Sequence, residues 1–221
     1  MQCNICGGTE FETYRARPGE RCCKCGSKAR HRIALDVYER LLFARARPGF
    51  RLLHLAPERF LHPLLKARFG EGYITGDASP ERYPHATPVK LFLPRDFTAF
   101  PAGHFDAILH NHVLEHIPGH YKDHLNGLVE WLAPGGLMIF SVPGPYMNRQ
   151  TEEGGENLSS NEERLARFLQ EDHFKIFGAD FVDYLHSMPR GECMSDGVTD
   201  AIRAKLSVRP AKAPFFVWQK R

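Results

Sequence analysis

The sequence predicts an α/β fold in which a mostly parallel sheet is covered by helices on both faces, preceded by a small cysteine-rich module. Two observations support this prediction. From residue 51 onward, short apolar stretches alternate with helical patterns over short connections, which is typical of parallel sheets. Before that point, four cysteines form two C-x2-C pairs. The 221 residues suffice for one ordinary domain and such a module, but not for two full-sized domains.

Composition argues against a membrane-spanning protein and against one that is built mainly to bind nucleic acid. The apolar runs all fall short of the ~20 residues that cross a bilayer. The N-terminus lacks the basic start and apolar stretch of a secretory signal, so we expect a cytoplasmic location with reduced or metal-bound cysteines. The net charge of +3 is too small to imply nucleic acid, although the excess of Lys and Arg lies within residues 1–50.

The N-terminal cysteines have the spacing of a four-thiolate zinc site. Cys3 and Cys6 form the first pair, and Cys22 and Cys25 form the second, fifteen residues later. Because four protein ligands leave no open position on the ion, the predicted zinc is structural, not catalytic. The alternatives are a reduced module without metal and a redox pair. The zinc-ribbon module is predicted to span residues 1–27.

Apolar patterns place the helices and strands of the rest of the chain. A helix within residues 28–49 is predicted to link the cysteine module to a main domain at residues 50–221. Ser160 and Glu163 form a capping box that begins another helix. The polar, glycine-bearing segment 143–158 predicts a mobile loop at the strand ends. The remaining predicted elements are a helix at 121–132 and strands at 51–55, 72–77, 89–93, 105–110, 137–142 and 214–220.

Acidic residues follow two of the predicted strands, at the sheet edge where such folds bind ligands. Asp77 ends a strand about 20 residues after the first turn of the main domain, where a carboxylate can accept both hydroxyls of a ribose. The alternative is a turn-capping or helix-capping Asp. Asp96 and Phe97 suit adenine, because a carboxylate can accept the exocyclic amine beside an aromatic face. They fit equally well as the start of a loop and a core residue.

A run of histidines, HNHVLEHIPGH, occupies residues 110–120. His110, His112, His116 and His120 are close enough in sequence to suggest a second zinc site. Strongly apolar residues alternate with them, and no cysteine or further histidine completes a ligand set by spacing alone. We therefore interpret the run as the end of a strand followed by a turn and a short helix.

The succession FDAILHNHVLEHIP, a helix and LAPGGLMIFSVP resembles class I S-adenosylmethionine-dependent methyltransferases over about residues 50–220. The cysteine module followed by GSKARHR and LHLAPE looks like a bacterial subgroup of that family with an N-terminal zinc ribbon. The resemblance implies a three-layer, Rossmann-like, seven-stranded sheet and S-adenosylmethionine as cofactor. Asn111 would hydrogen-bond the amino-acid end of that cofactor, and His112 would lie near its methyl group.

The first strand turn departs from the family pattern of an acid followed by two spaced glycines. His54 stands at the position of the acid, and Leu55, Ala56, Pro57 and Glu58 form the turn. The resemblance implies that these four turn residues contact the cofactor, with Glu58 attracting its sulfonium or amino group. A dinucleotide needs main-chain N–H groups on its pyrophosphate, whereas this cofactor has no phosphate. A carboxylate in the turn therefore argues against NAD.

The resemblance implies methyl transfer to an oxygen or nitrogen nucleophile. A general base would be needed for a hydroxyl or a protonated amine, and the candidates are His112 and His173. His173 lies in DHFKIFG, which resembles a family segment that follows the fifth strand, and it is also a candidate contact to the acceptor. Tyr146, in the predicted loop, is a candidate cover for the acceptor. The alternatives are structural histidines and a surface tyrosine.

The sequence leaves three functions open. A small-molecule acceptor, carbohydrate-like molecules among them, is the preferred hypothesis. A zinc-ribbon RNA methyltransferase is the second, because the module carries Arg15, Arg17, Arg21, Lys24, Lys28, Arg30 and Arg32. A non-enzymatic binding module whose altered first turn has lost the cofactor is the third. The identity of the acceptor and the oligomeric state do not follow from the sequence.

Overall fold

A computed structural model describes residues 1–208 and 215–221 of the chain. No helix among these residues is long and apolar enough to cross a membrane. The strands are β1 (Phe11–Tyr14), β2 (Arg17–Cys22), β3 (Leu52–Leu55), β4 (Tyr73–Asp77), β5 (Val89–Lys90), β6 (Phe105–Asn111), β7 (Leu132–Ser141), β8 (Gly191–Met194) and β9 (Phe216–Lys220). The α-helices are α1 (Ala29–Leu41), α2 (His62–Phe69), α3 (Tyr121–Trp131), α4 (Asn161–Phe168), α5 (Ala179–Ser187) and α6 (Asp200–Lys205).

The central sheet has the strand order β5-β4-β3-β6-β7-β9-β8. Strands β3 to β7 run parallel, and β9 is antiparallel to both of its neighbours. Helices on both faces complete the three layers. This architecture confirms the predicted Rossmann-like, mostly parallel sheet of seven strands.

Each face of the sheet has its own apolar core, because successive side chains of a strand point to opposite faces. Leu53 and Leu55 of β3 pack with α3 and α5 on one face. Leu52 packs with α1 and α2 on the other. The predicted linking helix therefore contributes directly to the core of the sheet, where Ile33 and Val37 of α1 are buried.

The cysteine module is a hairpin of β1 and β2 that docks onto the main domain through Arg32 of α1. The Arg32 side chain is completely buried. A buried guanidinium needs hydrogen-bond acceptors for its donors, and main-chain carbonyls of both parts of the chain supply them. They belong to Gly19, Glu20, Ser27, Leu206 and Ser207.

Several predicted elements differ from the structure at the edges of the sheet. The strand predicted at 89–93 is confined to β5, Val89–Lys90, at one edge. The predicted strand 214–220 appears as Phe216–Lys220, and residue 214 lies outside the described residues. Strand β8 and helix α5 form in a part of the chain for which no strand or helix was predicted. The capping box of Ser160 and Glu163 is confirmed at the start of α4.

Candidate active site

The carboxyl ends of β3, β4 and β6 lie side by side at one edge of the sheet. Leu55 at the end of β3 pairs with Gly76 of β4 on one side and with His110 of β6 on the other. Residues that follow these strands therefore surround one opening, a cavity of about 710 Å³ that we call the strand-end cavity. Its lining includes Leu55, Ala56, Gly76, Asp77, Arg82, Tyr83, Leu91, Phe92, Leu93, His112, His116 and Ile117.

Two of the strand ends turn through residues with left-handed backbone. Ala56 after β3 has φ 50°, and His112 after β6 has φ 55°. The Ala56 N–H donates to Gly76 O at 3.0 Å, and the His112 N–H donates to Ser141 O at 2.8 Å. Non-glycine residues in this region carry strain of about 1–3 kcal/mol and concentrate at functional sites. Both side chains line the strand-end cavity, as the sequence hypothesis requires of them.

A buried hydrogen-bond network takes the place of the acid that normally ends the first strand. His54 is fully buried, its Nε2 donates to Glu58 Oε2 at 2.7 Å, and its Nδ1 lies 2.8 Å from the Tyr73 hydroxyl. Burial alone would raise the pKa of Glu58, but the hydrogen bond and charge of His54 lower that pKa to about 2. The carboxylate of Glu58, which lies in the turn, is thus hydrogen-bonded to His54 at the end of strand β3.

Asn111 completes this network from β6. Its amide donates to Glu58 Oε1 at 3.0 Å and to the Tyr38 hydroxyl at 2.7 Å, and its Oδ1 accepts from Ser141 Oγ at 3.1 Å. Both amide hydrogens of Asn111 are therefore occupied inside the protein. Glu58, in the turn after β3, and Asn111, at the end of β6, are therefore hydrogen-bond partners of each other.

Asp77 lies where the sequence placed it, at the end of β4 and in the lining of the strand-end cavity. Its Oδ1 accepts from the N–H of Ser79 at 2.8 Å, which orients the carboxylate. Burial and the charge of Asp77 raise the pKa of Tyr83 to about 12. Tyr83 therefore stays a neutral hydrogen-bonding group beside the carboxylate.

Asp96 and Phe97 do not reach the lining of the strand-end cavity. The Asp96 carboxylate faces Arg95 and accepts from the Phe92 N–H at 2.8 Å, and these contacts lower its pKa to about 2. Phe97 packs edge-on against Trp131, with ring centroids 5.4 Å apart. The aromatic ring that does line the cavity beyond β5 is Phe92.

A second cavity, of about 430 Å³, adjoins the first, and we call it the histidine cavity. His112 and His116 line both cavities. His173 lines the second and is almost completely buried, and burial lowers its pKa. The other predicted turn residues Pro57 and Glu58 line it too, as do Arg30, Arg59, Arg82, Asn111 and Glu115.

Tyr146 lies outside the lining of both cavities, with about a third of its surface exposed. Its segment, 143–158, is anchored at several points. The Tyr146 N–H donates to Phe177 O, Glu153 accepts from the Tyr121 N–H, and Glu156 accepts from the Gly119 N–H. The segment therefore joins the beginning of α3 to the residues that precede α5.

Comparison with known proteins identifies this arrangement. A family model described as a methyltransferase domain matches residues 37–184, which is more than half of the chain. The chain belongs to this methyltransferase family. No curated protein sequence matches it.

Solved structures share the methyltransferase fold at low sequence identity. A SAM-dependent methyltransferase from Archaeoglobus fulgidus is 14% identical with a TM-score of 0.54, over 88% of this chain and 95% of that one. The YcgJ protein from Bacillus subtilis is 12% identical with a TM-score of 0.50, over 87% of this chain and 99% of that one. Together, fold and family make the chain a class I S-adenosylmethionine-dependent methyltransferase.

The strand-end cavity suits the cofactor of these methyltransferases. Its volume lies within the ~300–1,000 Å³ of pockets for small molecules and cofactors. Asp77 presents a carboxylate to this cavity, and Leu91, Phe92 and Leu93 form an apolar part of its lining. The small side chain of Ala56 leaves the turn open to close approach, as glycine does in the family pattern.

The four cysteines of the methyltransferase form one cluster whose sulfurs all lie within 4.8 Å of one another. Cys3 and Cys25 Sγ are 3.8 Å apart, and Cys6 and Cys22 Sγ are 3.6 Å apart. Zinc–sulfur bonds of about 2.3 Å in a tetrahedron place the sulfurs about 3.8 Å apart, so the donor set fits that ion. The buried Ser27 hydroxyl lies 3.4 Å from Cys3 Sγ and 3.1 Å from Cys25 Sγ.

Several lining residues of this methyltransferase were not found by sequence reasoning. Arg82 is the last residue of a one-turn 3-10 helix, Pro80–Arg82, and Tyr83 follows it, where no motif marks either residue. Phe92 was assigned to a strand, and Phe97, five residues later, was given the aromatic role in the adenine hypothesis. Glu115 stood within VLEH, but only the fold reveals that its side chain is fully buried.

Proposed function

We propose that the chain transfers the methyl group of S-adenosylmethionine to an oxygen or nitrogen nucleophile of a small molecule. In this proposal the cofactor occupies the strand-end cavity and the acceptor occupies the histidine cavity. The observation that carries it is that His112 lines both cavities, at the strand end where they meet. A residue in that position lies between a donor in one cavity and an acceptor in the other.

The bound cofactor supplies an electrophilic methyl group, and the protein residues supply orientation and proton transfer. Asp77 accepts the ribose hydroxyls, and the wall around Phe92 covers the adenine. The network of His54, Glu58 and Asn111 fixes the turn on which both cavities depend. Holding nucleophile and methyl carbon in line can lower the barrier by about 7–11 kcal/mol. His112, about a third exposed, is the proposed base that takes a proton from the acceptor.

His173 is the alternative base, and Tyr146 the proposed cover of the acceptor. His173 Nδ1 lies 3.2 Å from Phe168 O, so Nδ1 donates and Nε2 keeps its lone pair. The position of Tyr146 outside both linings requires the segment 143–158 to move if this tyrosine is to reach a bound acceptor. Asp96 and Phe97 remain proposals for the adenine site, acting through the loop that carries Phe92.

We further propose that the cysteine cluster holds a structural zinc ion in a ribbon of residues 1–27. Residues 28–49 then connect it to a methyltransferase domain at 50–221. All six cysteines are unpaired, which suits a cytoplasmic location where thiols stay reduced. The four sulfurs face one another and leave no open ligand position, so this zinc takes no part in methyl transfer.

A small acceptor is favoured over RNA by the state of the basic residues in the module. Arg32 is buried and satisfied by carbonyls, so it is not a surface charge. Arg21 is ion-paired with Glu12, and Lys24 donates to Cys6 O. The remaining basic groups form a smaller positive surface than the sequence count implies, and phosphate binding depends on such free charges.

Calorimetric titration with S-adenosylmethionine and S-adenosylhomocysteine tests the proposal. We expect micromolar binding of both ligands to the wild-type chain. Asp77→Asn should weaken binding roughly 10- to 100-fold, because charge-assisted hydrogen bonds contribute about 1.5–3 kcal/mol each. Asp96→Asn tests the adenine site of the sequence hypothesis and should have a smaller effect, since Asp96 does not line the cavity. Asp183→Asn, at an exposed position of α5, is the matched control.

Two outcomes would contradict the assignment. Wild-type protein that binds neither ligand would favour a non-enzymatic module that has lost its cofactor. An effect of Asp96→Asn as large as that of Asp77→Asn would move the adenine site toward Asp96, as the sequence hypothesis had it.

A further inference from the structure

Glu115, His116 and His173 form a second cluster of metal-ligand groups, separate from the cysteines. One carboxylate oxygen and one nitrogen from each ring all lie within 4.8 Å of one another. His116 Nε2 is 3.9 Å from Glu115 Oε1, and the two imidazole rings have centroids 4.9 Å apart. His173 comes from a segment 57 residues away, which the Phe174 N–H ties to Glu115 O at 2.8 Å.

The Glu115 carboxylate is the reason to expect a ligand here. Its side chain is fully buried, and neither oxygen has a hydrogen-bond partner among the described residues. His112 Nδ1 approaches Oε1 at 3.3 Å but without the geometry of a hydrogen bond. Buried polar atoms are nearly always satisfied, and a bound ion is one recognised explanation when they are not.

Both imidazoles are held in the orientation that metal-binding histidines adopt. His116 Nδ1 lies 2.9 Å from Asp172 O, and His173 Nδ1 lies 3.2 Å from Phe168 O. A carbonyl can only accept, so each Nδ1 carries the proton and each Nε2 keeps its lone pair. A main-chain carbonyl on the second ring nitrogen is the usual outer partner of a metal-ligating histidine.

We propose that Glu115, His116 and His173 bind a divalent transition-metal ion, Zn²⁺ in the first instance, that is open to the histidine cavity. Two histidines and one carboxylate form a donor set that leaves positions free for a substrate oxygen. Ligand atoms around tetrahedral zinc lie about 3.3 Å apart, so the ion draws these three side chains inward by less than about 1 Å.

The same site indicates the chemical class of the acceptor, and this step rests on the proposed function. An open metal position in the acceptor cavity takes a hydroxyl or carboxylate oxygen. Arg30, Arg59 and Arg82 line the same cavity and favour an anionic molecule. The inferred acceptor is therefore a small anionic molecule with an oxygen that can bind metal.

Metal content measured with the cysteine site filled tests the inference. After equilibration with micromolar Zn²⁺ and desalting, wild-type protein should retain about two zinc ions per chain, one of them in the cysteine cluster. Glu115→Gln and His173→Gln should each retain about one. His120→Gln, which changes a half-exposed member of the same histidine run, should retain about two.

Cobalt spectroscopy distinguishes the two sites without relying on the variants. Co²⁺ in the cysteine cluster gives intense sulfur-to-metal absorption, whereas a second equivalent at the proposed site adds only weak d–d bands. Acetohydroxamate, a chelator with two oxygens, should shift those d–d bands in the wild-type protein if the ion has open positions. Unshifted bands would contradict the open site.

A single metal equivalent in the wild-type protein, with Zn²⁺ and with Co²⁺ alike, would overturn the inference. Calorimetry with S-adenosylhomocysteine separates this result from failure of the proposed function. Glu115→Gln should lose the second metal and still bind that ligand. A wild-type protein that does not bind S-adenosylhomocysteine would instead refute the proposed function. The number of bound metal ions would still test the proposed site at Glu115, His116 and His173.

Discussion

The cysteine cluster and the strand-end cavity are assembled in opposite ways. Among residues 1–27 the buried hydrophobic residues are Cys3 and Cys22, so the module has almost no apolar core of its own. The strand-end cavity instead stands on a sheet that is packed on both faces. The comparison leads us to expect that the cysteine module depends on the proposed zinc ion in order to fold, whereas the strand-end cavity is organised without a ligand.

We expect the largest effect from a variant that disrupts only the cysteine cluster. Cys22→Ser removes one of the four sulfurs, and metal-coupled folding of such modules is worth about 10 kcal/mol or more. We expect zinc to be lost from the cluster and the amides of β1 and β2 to exchange hydrogen orders of magnitude faster, while the sheet keeps its protection. Hydrogen exchange read by mass spectrometry measures both regions in one experiment.

Cys23→Ser is the control for this change, because Cys23 is exposed and lies outside the cluster. Its exchange pattern should match that of the wild-type protein. Equal loss of protection in the sheet of Cys22→Ser would contradict the comparison, since it would mean that the main domain also depends on the metal.

The next prediction concerns the pH dependence of the stability of the central sheet. Burial lowers the pKa of His110 to about 3 and that of His124 to about 4, with charge from His54 and Lys175 adding to the shift. Unfolded chains protonate these histidines below about pH 6.5, while the folded protein keeps them neutral. Their contribution to stability is therefore complete above pH 6.5 and is lost as the pH falls toward 4.

At pH 5 each of these histidines should lower the free energy of unfolding by about 2 kcal/mol, or about 4 kcal/mol together. Urea unfolding monitored by tryptophan fluorescence between pH 7.5 and 5 checks this loss. His186→Gln changes an exposed histidine of α5 and should leave the profile unchanged. A profile that is flat between these values would show that the buried histidines titrate freely in the folded protein.

The smallest effect concerns the strained turn of the strand-end cavity. Ala56→Gly should raise the free energy of unfolding by up to about 1 kcal/mol, because glycine adopts a φ of 50° without strain. Ala204→Gly, at an exposed helical position of α6, should lower it by about 0.5–1 kcal/mol. Chemical denaturation of both variants measures the difference, and the same sign for both would mean that Ala56 is not strained.

The parts that could be predicted from sequence are those specified by neighbours along the chain. Cysteine spacing, the capping box of Ser160 and the apolar strands at the centre of the sheet all depend on residues within one element. The place of Asp77 at the cavity could be predicted because it lies at the end of a strand. The turn residue Ala56 was found for the same reason, although its left-handed backbone could not be inferred from an alanine.

The parts that could not be predicted depend on burial or on distant segments. Strand β8 is a short edge strand with alternating exposure, and its four residues carry no apolar run to mark it. The proximity of Glu115 to His173 arises only when the segment before α5 folds against the end of β6. The partners of Glu58 were missed because His54 was taken as a replacement for an acid, not as a donor to one.

The hydrogen bonds of Arg32 join segments of the chain that are synthesised at different times. Its guanidinium donates to Gly19 and Glu20 on one side and to Leu206 and Ser207 on the other. A ribosome exposes the first pair of carbonyls long before the second pair is made. Before that point, the Arg32 donors that bind Leu206 and Ser207 have no protein acceptor, so the contact between the amino-terminal module and the domain is incomplete. The contacts of Arg32 with Leu206 and Ser207 can therefore form only after nearly all of the described residues have been synthesised.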